Sequence, residues 1–154
     1  MILTDREIRT ALRKGVIVID PLPSENAYSS TSVDLTLDHE LTLFNEQVDG
    51  SGLEQIIDPS KRRIDAERAI EAISTKVAIS DDGYVLHRNI LILAYTAEYV
   101  DLRIDTKYAA RVEGKSSLAR YGLSVHITAP TIHAGFDGRI RLEMVNHGPL
   151  PSRP

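Results

Sequence analysis

The chain contains no cysteine among its 154 residues. This absence excludes disulfide frameworks, thiol nucleophiles, cysteine-based zinc sites and iron–sulfur clusters, and it is consistent with a reducing, cytoplasmic setting. The chain also lacks an apolar run near the roughly 18 residues of a membrane-spanning helix. Its charged beginning, MILTDREIRTALRKG, differs from a signal-peptide core. We therefore expect a soluble protein of the cytoplasm with no membrane partner.

An excess of positive charge is absent as well. The formal net charge is −4 and the isoelectric point is near 5.7, so a nucleic acid polymer, which usually binds a basic face, is not the expected partner. Hydrophobic residues make up 42% and charged residues 26% of the chain, a mix typical of globular domains. The length suits one domain over residues 1–154.

The N-terminal residues have the pattern of a short amphipathic helix. Thr4 and Glu7 have the spacing of a capping box, in which each side chain satisfies a free amide at the helix start. Ile8 and Leu12 recur at helical spacing, and Gly15 suits a left-handed position just after the helix. The pattern predicts a helix that ends before Gly15.

Most of the remaining chain consists of short β-branched or alternating runs. Strands are predicted at 16–20 and within 30–44, the latter with a break at 38–40. Residues 46–75 resemble a long loop, in which 64–74 has the pattern of two helical turns. Further strands follow: KVAIS, YVLHR after an Asp-Asp-Gly turn, NILILAYTAEYVDL, YAARVEG, LSVHITA and GRIRLEMVNHG. This organisation predicts a mainly antiparallel β-sandwich or barrel.

The segment GKSSLARYG, residues 114–122, is the first candidate for chemistry. Its serines can cap a short helical turn from Ser116 to Arg120, and free amides at a helix start favour phosphate. Lys115 and Arg120 add positive charges, and a guanidinium can bind phosphate oxygens through two bonds. The alternative is a capped surface turn with two solvated cations.

The segment GRIRLEMVN, residues 138–146, is the second candidate. Period-two alternation places Arg141, Glu143 and Val145 on one face of the strand. The opposite face carries Ile140, Leu142 and Met144. If that face is the core, Glu143 is solvated or lines a cleft with Arg141 beside it, and a partly shielded glutamate suits general acid–base catalysis. The alternative is an exposed Arg–Glu pair on a solvated face.

The loop VHITAPTIHAGFDG, residues 125–138, is the third candidate. Pro130 bends the chain, and a glycine-framed turn is expected to present His133 and Phe136. A histidine in such a loop can contact a sugar hydroxyl, a phosphate or a base edge, or it can simply cap the loop. The five histidines have no ligand-type spacing with carboxylates, so no protein-bound metal is predicted.

In combination, residues 114–144 resemble the nucleotide-binding core of the dCTP deaminase branch of the dUTPase-like superfamily. That branch typically carries Gly-Arg-Ser-Ser-Leu-Ala-Arg-x-Gly, a Thr-Ala loop, a Gly-aromatic-x-Gly turn and a strand with Leu-Glu, and these pieces occur here in the same order. Upstream, SSTSVDLTLD resembles the family's Ser-Val-Asp-Leu strand. The resemblance implies a β-clip, or distorted jelly-roll, subunit with a short N-terminal helix. It also implies a homotrimer with active sites shared between neighbours.

The activity implied by the resemblance is hydrolytic deamination of dCTP to dUTP and ammonia without zinc. Glu143 would be the general base and acid, while Ser116 and Arg120 would position water and stabilise charge. Magnesium would be bound through the triphosphate, with no protein ligands. The implied substrate-binding residues are Lys115, Ser116, Ser117, Leu118, Ala119, Arg120, Ala129, His133, Arg141, Leu142 and Glu143.

The chain departs from the family pattern in three respects. His133 replaces the usual Asp that contacts the deoxyribose, and Lys115 replaces an Arg. Family members also commonly continue with a segment that closes over the triphosphate, which residues 1–154 are expected to lack. One alternative is a dUTP diphosphatase or a bifunctional deaminase–diphosphatase, which His133 counts against. Another is a non-catalytic nucleotide-binding trimer, which the missing segment favours and the presence of Glu143 and Arg120 opposes.

Overall fold

Two long antiparallel strands, Leu91–Asp101 (β4) and Asp137–Asn146 (β8), form the centre of the fold. The structure is a computed structural model that describes residues 2–45 and 66–153. The helices are Asp5–Arg13 (α1), Ala66–Ala72 (α2) and Ser116–Arg120 (α3). The other strands are Val18–Asp20 (β1), Leu37–Phe44 (β2), Ser74–Ala78 (β3), Ala110–Arg111 (β5), Leu123–Ser124 (β6) and Thr131–Ile132 (β7).

In the main sheet, β8 lies between the long strand β4 and the short strand β6. The strand order of this sheet is β3-β2-β4-β8-β6, β1 also pairs with β4, and β5 and β7 form a separate two-stranded sheet. Neighbouring strands of the main sheet are antiparallel, as predicted. No helix of the described residues is long and apolar enough to cross a membrane.

The alternation predicted for β8 is confirmed by burial from Ile140 to Met144, whereas Val145, predicted on the face of Glu143, is buried as well. Ile140, Leu142 and Met144 are buried in the core, and β4 contributes Ile92 and Ala94 to the same cluster. Burying apolar side chains contributes about 25 cal/mol per Å² of surface removed from water. The core therefore fixes which face of β8 is turned away from it, and this is the face that carries Glu143.

A buried polar cluster interrupts the pairing of β4 with β8. The register shifts between Tyr95 and Tyr99. Inside this irregularity Thr96 accepts a hydrogen bond from a β8 amide at 3.0 Å, and the Glu98 carboxylate, 5% exposed, accepts two from the Thr36 amide at 2.9 and 3.1 Å. These bonds satisfy polar groups that would otherwise be costly to bury.

The predicted N-terminal helix is confirmed. The Glu7 carboxylate accepts hydrogen bonds from the Thr4 amide at 2.7 Å and the Thr4 hydroxyl at 3.0 Å, and Gly15 is left-handed with φ of +63°. The predicted strand break at 38–40 is also confirmed, because the pairing of β2 with β4 shifts register between Leu37 and Leu41.

Several other boundaries differ from the prediction. The predicted strand YVLHR is wrong, since within residues 2–45 and 66–153 this segment makes only single bridges, from Leu86 to Ser152 and from Arg88 to Asn146. The segment around Ser152, to which Leu86 bridges, is rich in proline. Proline has no backbone N–H to donate, so the bridge cannot extend into a longer strand pairing. YAARVEG and LSVHITA shorten to β5 and β6, and β7 was not predicted. Helix α2 falls within the predicted turns at 64–74, and the prediction for 46–65 lies outside the described residues.

Candidate active site

The carboxylate of Glu143 lies on the partly exposed face of β8. Glu143 pairs in register with the buried Leu93 of β4. The Ile127 amide, in the loop that follows β6, lies 3.4 Å from Glu143 Oε2. Because β6 ends at Ser124 and pairs only with the end of β8, β8 has no strand partner on that side near Glu143 among the described residues. Among the described residues, the backbone of β8 beside Glu143 is therefore unpaired by a strand on that side.

Arg141 does not pair with Glu143, contrary to the pair considered in the sequence. Its Nη1 and Nη2 donate to the two Glu67 carboxylate oxygens at 2.6 and 2.7 Å. Its Nε donates to the Tyr95 hydroxyl at 2.9 Å, and its guanidinium lies 5.1 Å from the centre of the Tyr95 ring. The hydrogen bond from Arg141 lowers the pKa of Glu67, and the same bond raises the pKa of Arg141.

The predicted helical turn between Ser116 and Arg120 is confirmed as α3. The predicted serine cap is wrong, because the residue before the helix is Lys115 and its side chain makes no capping bond. Lys115 Nζ instead lies 2.7 Å from Asp34 Oδ2. No role in the site was predicted for Asp34. Its place in the Ser-Val-Asp-Leu motif is the feature of the sequence that could have indicated one. Every residue of α3 is exposed, Leu118 and Ala119 included.

Two glycines fix the end of α3 against the end of β8. Gly122 has φ of +89°, and a Cβ built on it would lie 2.3 Å from the Gly148 amide nitrogen. A Cβ on Gly148 would lie 1.9 Å from the Tyr121 carbonyl oxygen. The His147 amide donates to the Gly122 carbonyl at 2.8 Å. Only glycine allows the two backbones to approach so closely, which explains the glycine at the end of the GKSSLARYG segment.

Asn146 holds the chain that follows β8. Its side chain is fully buried, and its Nδ2 donates to the carbonyls of Leu86 at 3.0 Å and Leu150 at 2.8 Å. The Gly148 amide donates to Asn146 Oδ1 at 2.9 Å. One buried amide side chain therefore holds Gly148, which contacts the end of α3, and joins it to Leu86.

The loop between β6 and β8 presents only one of its two predicted residues. His133 is exposed, and its carbonyl accepts a hydrogen bond from the Phe136 amide at 3.1 Å, which closes the turn. Phe136 packs against the core instead of being presented, which corrects the prediction. Gly135, with φ of +87°, donates from its amide to the Leu102 carbonyl at 2.5 Å. Ala129 is exposed in the same loop.

Within one chain the predicted site residues form separate groups. Glu143 and Arg141 share a face of β8, whereas the Leu142 side chain is buried in the core. Among the described residues, no hydrogen bond or ion pair joins Glu143 to Ser116 or Arg120. A pocket of about 400 Å³ lies elsewhere, beside α1, and is lined by Leu3, Arg6, Glu7, Thr10, Ala11, Lys14, Val16 and Tyr108. The described residues contain no cluster of three or more His, Asp or Glu side chains suited to a metal.

The fold has a counterpart among solved structures. It is similar to the crystal structure of 2'-deoxycytidine 5'-triphosphate deaminase from Agrobacterium tumefaciens, with a TM-score of 0.68 and 18% identity. The match covers 97% of this chain and 42% of that chain. The mainly β architecture is therefore the dUTPase-like fold expected from the sequence.

The comparison of sequences identifies the family. The family model described as dCTP deaminase-like matches residues 2–153. The dCTP deaminase of Rhodospirillum rubrum is 40% identical over 152 residues, which cover 98% of this chain and 74% of that protein. The "dCTP deaminase, dUMP-forming" of Methanobrevibacter smithii is 37% identical over 150 residues, with coverages of 97% and 72%. The chain belongs to the dCTP deaminase-like family.

Proposed function

We propose that the chain catalyses the hydrolytic deamination of dCTP to dUTP and ammonia, with Glu143 as general base and acid and without zinc. Deamination of dCTP is the activity named for the relatives at about 40% identity. The observation that carries the role of Glu143 is its placement. The core-packed β8 fixes its backbone, and among the described residues its carboxylate has one contact, at 3.4 Å.

Such a carboxylate can move one proton through the reaction. Glu143 removes a proton from water, and the resulting hydroxide adds to C4 of the cytosine ring. Glu143 then passes that proton to the 4-amino nitrogen. The C4–N4 bond breaks, ammonia leaves, and the ring becomes uracil through its 4-hydroxyl tautomer. General acid–base catalysis of this kind contributes typically about 10²–10⁴-fold to a rate.

We propose that α3 completes the site of a neighbouring copy in a homotrimer. Ser116, Ser117 and Arg120 make no side-chain hydrogen bond to another described residue of their own chain. Leu118 and Tyr121 in the same segment are 41% and 74% exposed, an apolar surface that a second copy could cover. Arg120 and Lys115 would then stabilise negative charge on the triphosphate. Magnesium would enter on the phosphate oxygens.

Other predicted contacts involve the backbone and the loop after β6. The side of β8 that lacks a strand partner leaves backbone groups of 141–143 for the pyrimidine edge. Ala129 would lie near the base, and His133 would contact the sugar. We also place the reaction in the cytoplasm, in keeping with a chain without cysteine.

Formation of dUMP is the second candidate activity. It is favoured by the relative from Methanobrevibacter smithii, which is named as dUMP-forming. His133 counts against it, because an imidazole stands where the family usually has an Asp. Release of pyrophosphate after deamination would distinguish this activity from simple deamination.

The test is incubation with dCTP and magnesium, with nucleotides read by chromatography and ammonia measured in parallel. We expect dUTP and ammonia from the unmodified chain, and a loss of turnover of about 10³-fold in Glu143→Gln, within the range for a lost general base. Glu113→Gln is the control, because Glu113 is exposed and its ion pair among the described residues is with Arg111, at 3.3 Å. Full activity in Glu143→Gln would contradict the mechanism. Binding of dCTP without any product would indicate a non-catalytic nucleotide-binding protein.

A further inference from the structure

Arg141 and Glu143 are neighbours on one face of β8. Residues two apart along a strand point to the same side and lie about 7 Å apart. The flexible side chain of an unpaired arginine can span that distance and bind a carboxylate through two bonds. A salt bridge formed in this way would occupy the oxygens that the proposed general base needs.

Arg141 instead binds Glu67 of helix α2. The Arg141 guanidinium donates to both Glu67 oxygens, at 2.6 and 2.7 Å, and to the Tyr95 hydroxyl. Arg141 is 29% exposed and Glu67 is 64% exposed, so the pair lies at the margin of the sheet face. The raised pKa of Arg141 and the lowered pKa of Glu67 agree with a formed ion pair.

We propose that Glu67 is a positioning residue, which holds Arg141 away from Glu143 and so leaves the catalytic carboxylate free to take a proton from water. This inference rests on the proposed function of Glu143. Glu67 itself touches neither the substrate nor the reacting water. It acts through Arg141, and its contribution is to direct the guanidinium away from the site.

Other titratable groups lie on the elements around Glu143. Tyr95 on β4 already binds Arg141. On α2, Arg68 is already engaged in an interaction, and Glu71 lies one helical turn beyond Glu67. In the loop after β6, His126 precedes the Ile127 amide that contacts Glu143, and its buried Nδ1 has no partner among the described residues. Of these groups, Glu67 is the carboxylate that binds Arg141.

Glu67→Ala removes both acceptor oxygens while keeping a good helix former. We expect kcat for dCTP deamination to fall about tenfold with KM nearly unchanged, because a carboxylate paired with Arg141 is a weaker base. The acidic limb of the kcat/KM profile should move to lower pH, since a nearby guanidinium favours the ionised carboxylate. The matched control is Glu71→Ala, an exposed glutamate on the same helix.

The decisive measurement is the crystal structure of Glu67→Ala, because it does not depend on activity. We expect the Arg141 guanidinium within hydrogen-bonding distance of a Glu143 oxygen. We expect the double variant Glu67→Ala/Arg141→Met to recover most of the lost kcat, since only the backbone at residue 141 is assigned to the pyrimidine edge and methionine keeps that backbone and much of the side-chain volume. The inference would be overturned if Arg141 remained bound to Tyr95 in the Glu67→Ala structure. It would also be overturned if the double variant had a kcat as low as that of Glu67→Ala. Failure of the proposed function would appear separately, as an unmodified chain that makes no product from dCTP.

Discussion

The strand that carries Glu143 and the helix that carries Arg120 differ in how much of each is buried or paired within one chain. Strand β8 pairs along its length with β4, and its core-facing residues are buried. In α3 every residue is exposed. The helix is attached to the rest of the chain mainly through its ends, by Lys115 with Asp34 and by Gly122 against Gly148.

This difference indicates which part of the proposed site one chain supplies. The Glu143 backbone is held by packing and by ladder hydrogen bonds within its own chain, so its position does not require a partner. The side chains of Ser116 and Arg120 are presented by a short helix that is fixed at its ends, and they make no hydrogen bond to another residue in the described part of the chain. This division is what the proposed homotrimer with shared sites requires, since each copy would supply Glu143 to one site and Arg120 to the next.

The largest effect on stability is expected where these two regions join. Gly148→Ala would place a Cβ 1.9 Å from the Tyr121 carbonyl oxygen, so the backbone would have to shift. We expect the free energy of unfolding to fall by about 3 kcal/mol, at the upper end for overpacking, and Tm to fall by about 10 °C. Thermal unfolding followed by circular dichroism measures both.

Gly114→Ala is the matched control at the other end of the segment. A Cβ on Gly114 would lie 3.6 Å from Val125 Cγ2, which is ordinary van der Waals contact. Its Tm should stay within about 2 °C of the unmodified chain, as for most surface changes. Equal Tm values for the two variants would mean that the junction of α3 with β8 is not tightly packed.

A smaller effect is expected at the ion pair that precedes α3. Asp34→Asn weakens the hold on Lys115, whose Nζ lies 2.7 Å from Asp34 Oδ2. We expect KM for dCTP to change by about threefold and Tm by little, because exposed ion pairs contribute about 0–1 kcal/mol. Steady-state kinetics at fixed magnesium concentration measures the change.

Glu40→Gln is the control for Asp34→Asn. It removes a comparable exposed pair, since Glu40 Oε1 lies 2.8 Å from Lys76 Nζ on the β2–β3 edge of the sheet. Its KM should equal that of the unmodified chain. The same change in KM for both variants would show that the effect is one of overall charge, and that Asp34 does not position Lys115.

Local patterns in the sequence predicted the local parts of this structure. The alternation in β8, the capping box of α1 and the helical turn of α3 each depend on residues close together in the chain. The pairs that shape the site are of a different kind. Arg141 and Glu67 are 74 residues apart, and no periodicity links them.

The errors of the sequence analysis have the same origin. The run YVLHR has strand character, but its neighbour in the fold is the proline-rich end of the chain, so it forms only single bridges. Phe136 lies in a turn with glycines, yet the core takes up its ring. In both cases the partner, which is distant in the sequence, decides the outcome.

The central claim is that Glu143 of one chain acts with Arg120 of a neighbouring chain. The direct test is to co-refold Glu143→Gln with Arg120→Met, each nearly inactive alone, and to measure dCTP deamination by the mixture. In a trimer with shared sites, random mixing gives an intact pair in about one quarter of sites, so about one quarter of the unmodified activity should return. No recovery, in a mixture shown by two affinity tags to contain both variants, would contradict the claim and place both residues in a site within one chain.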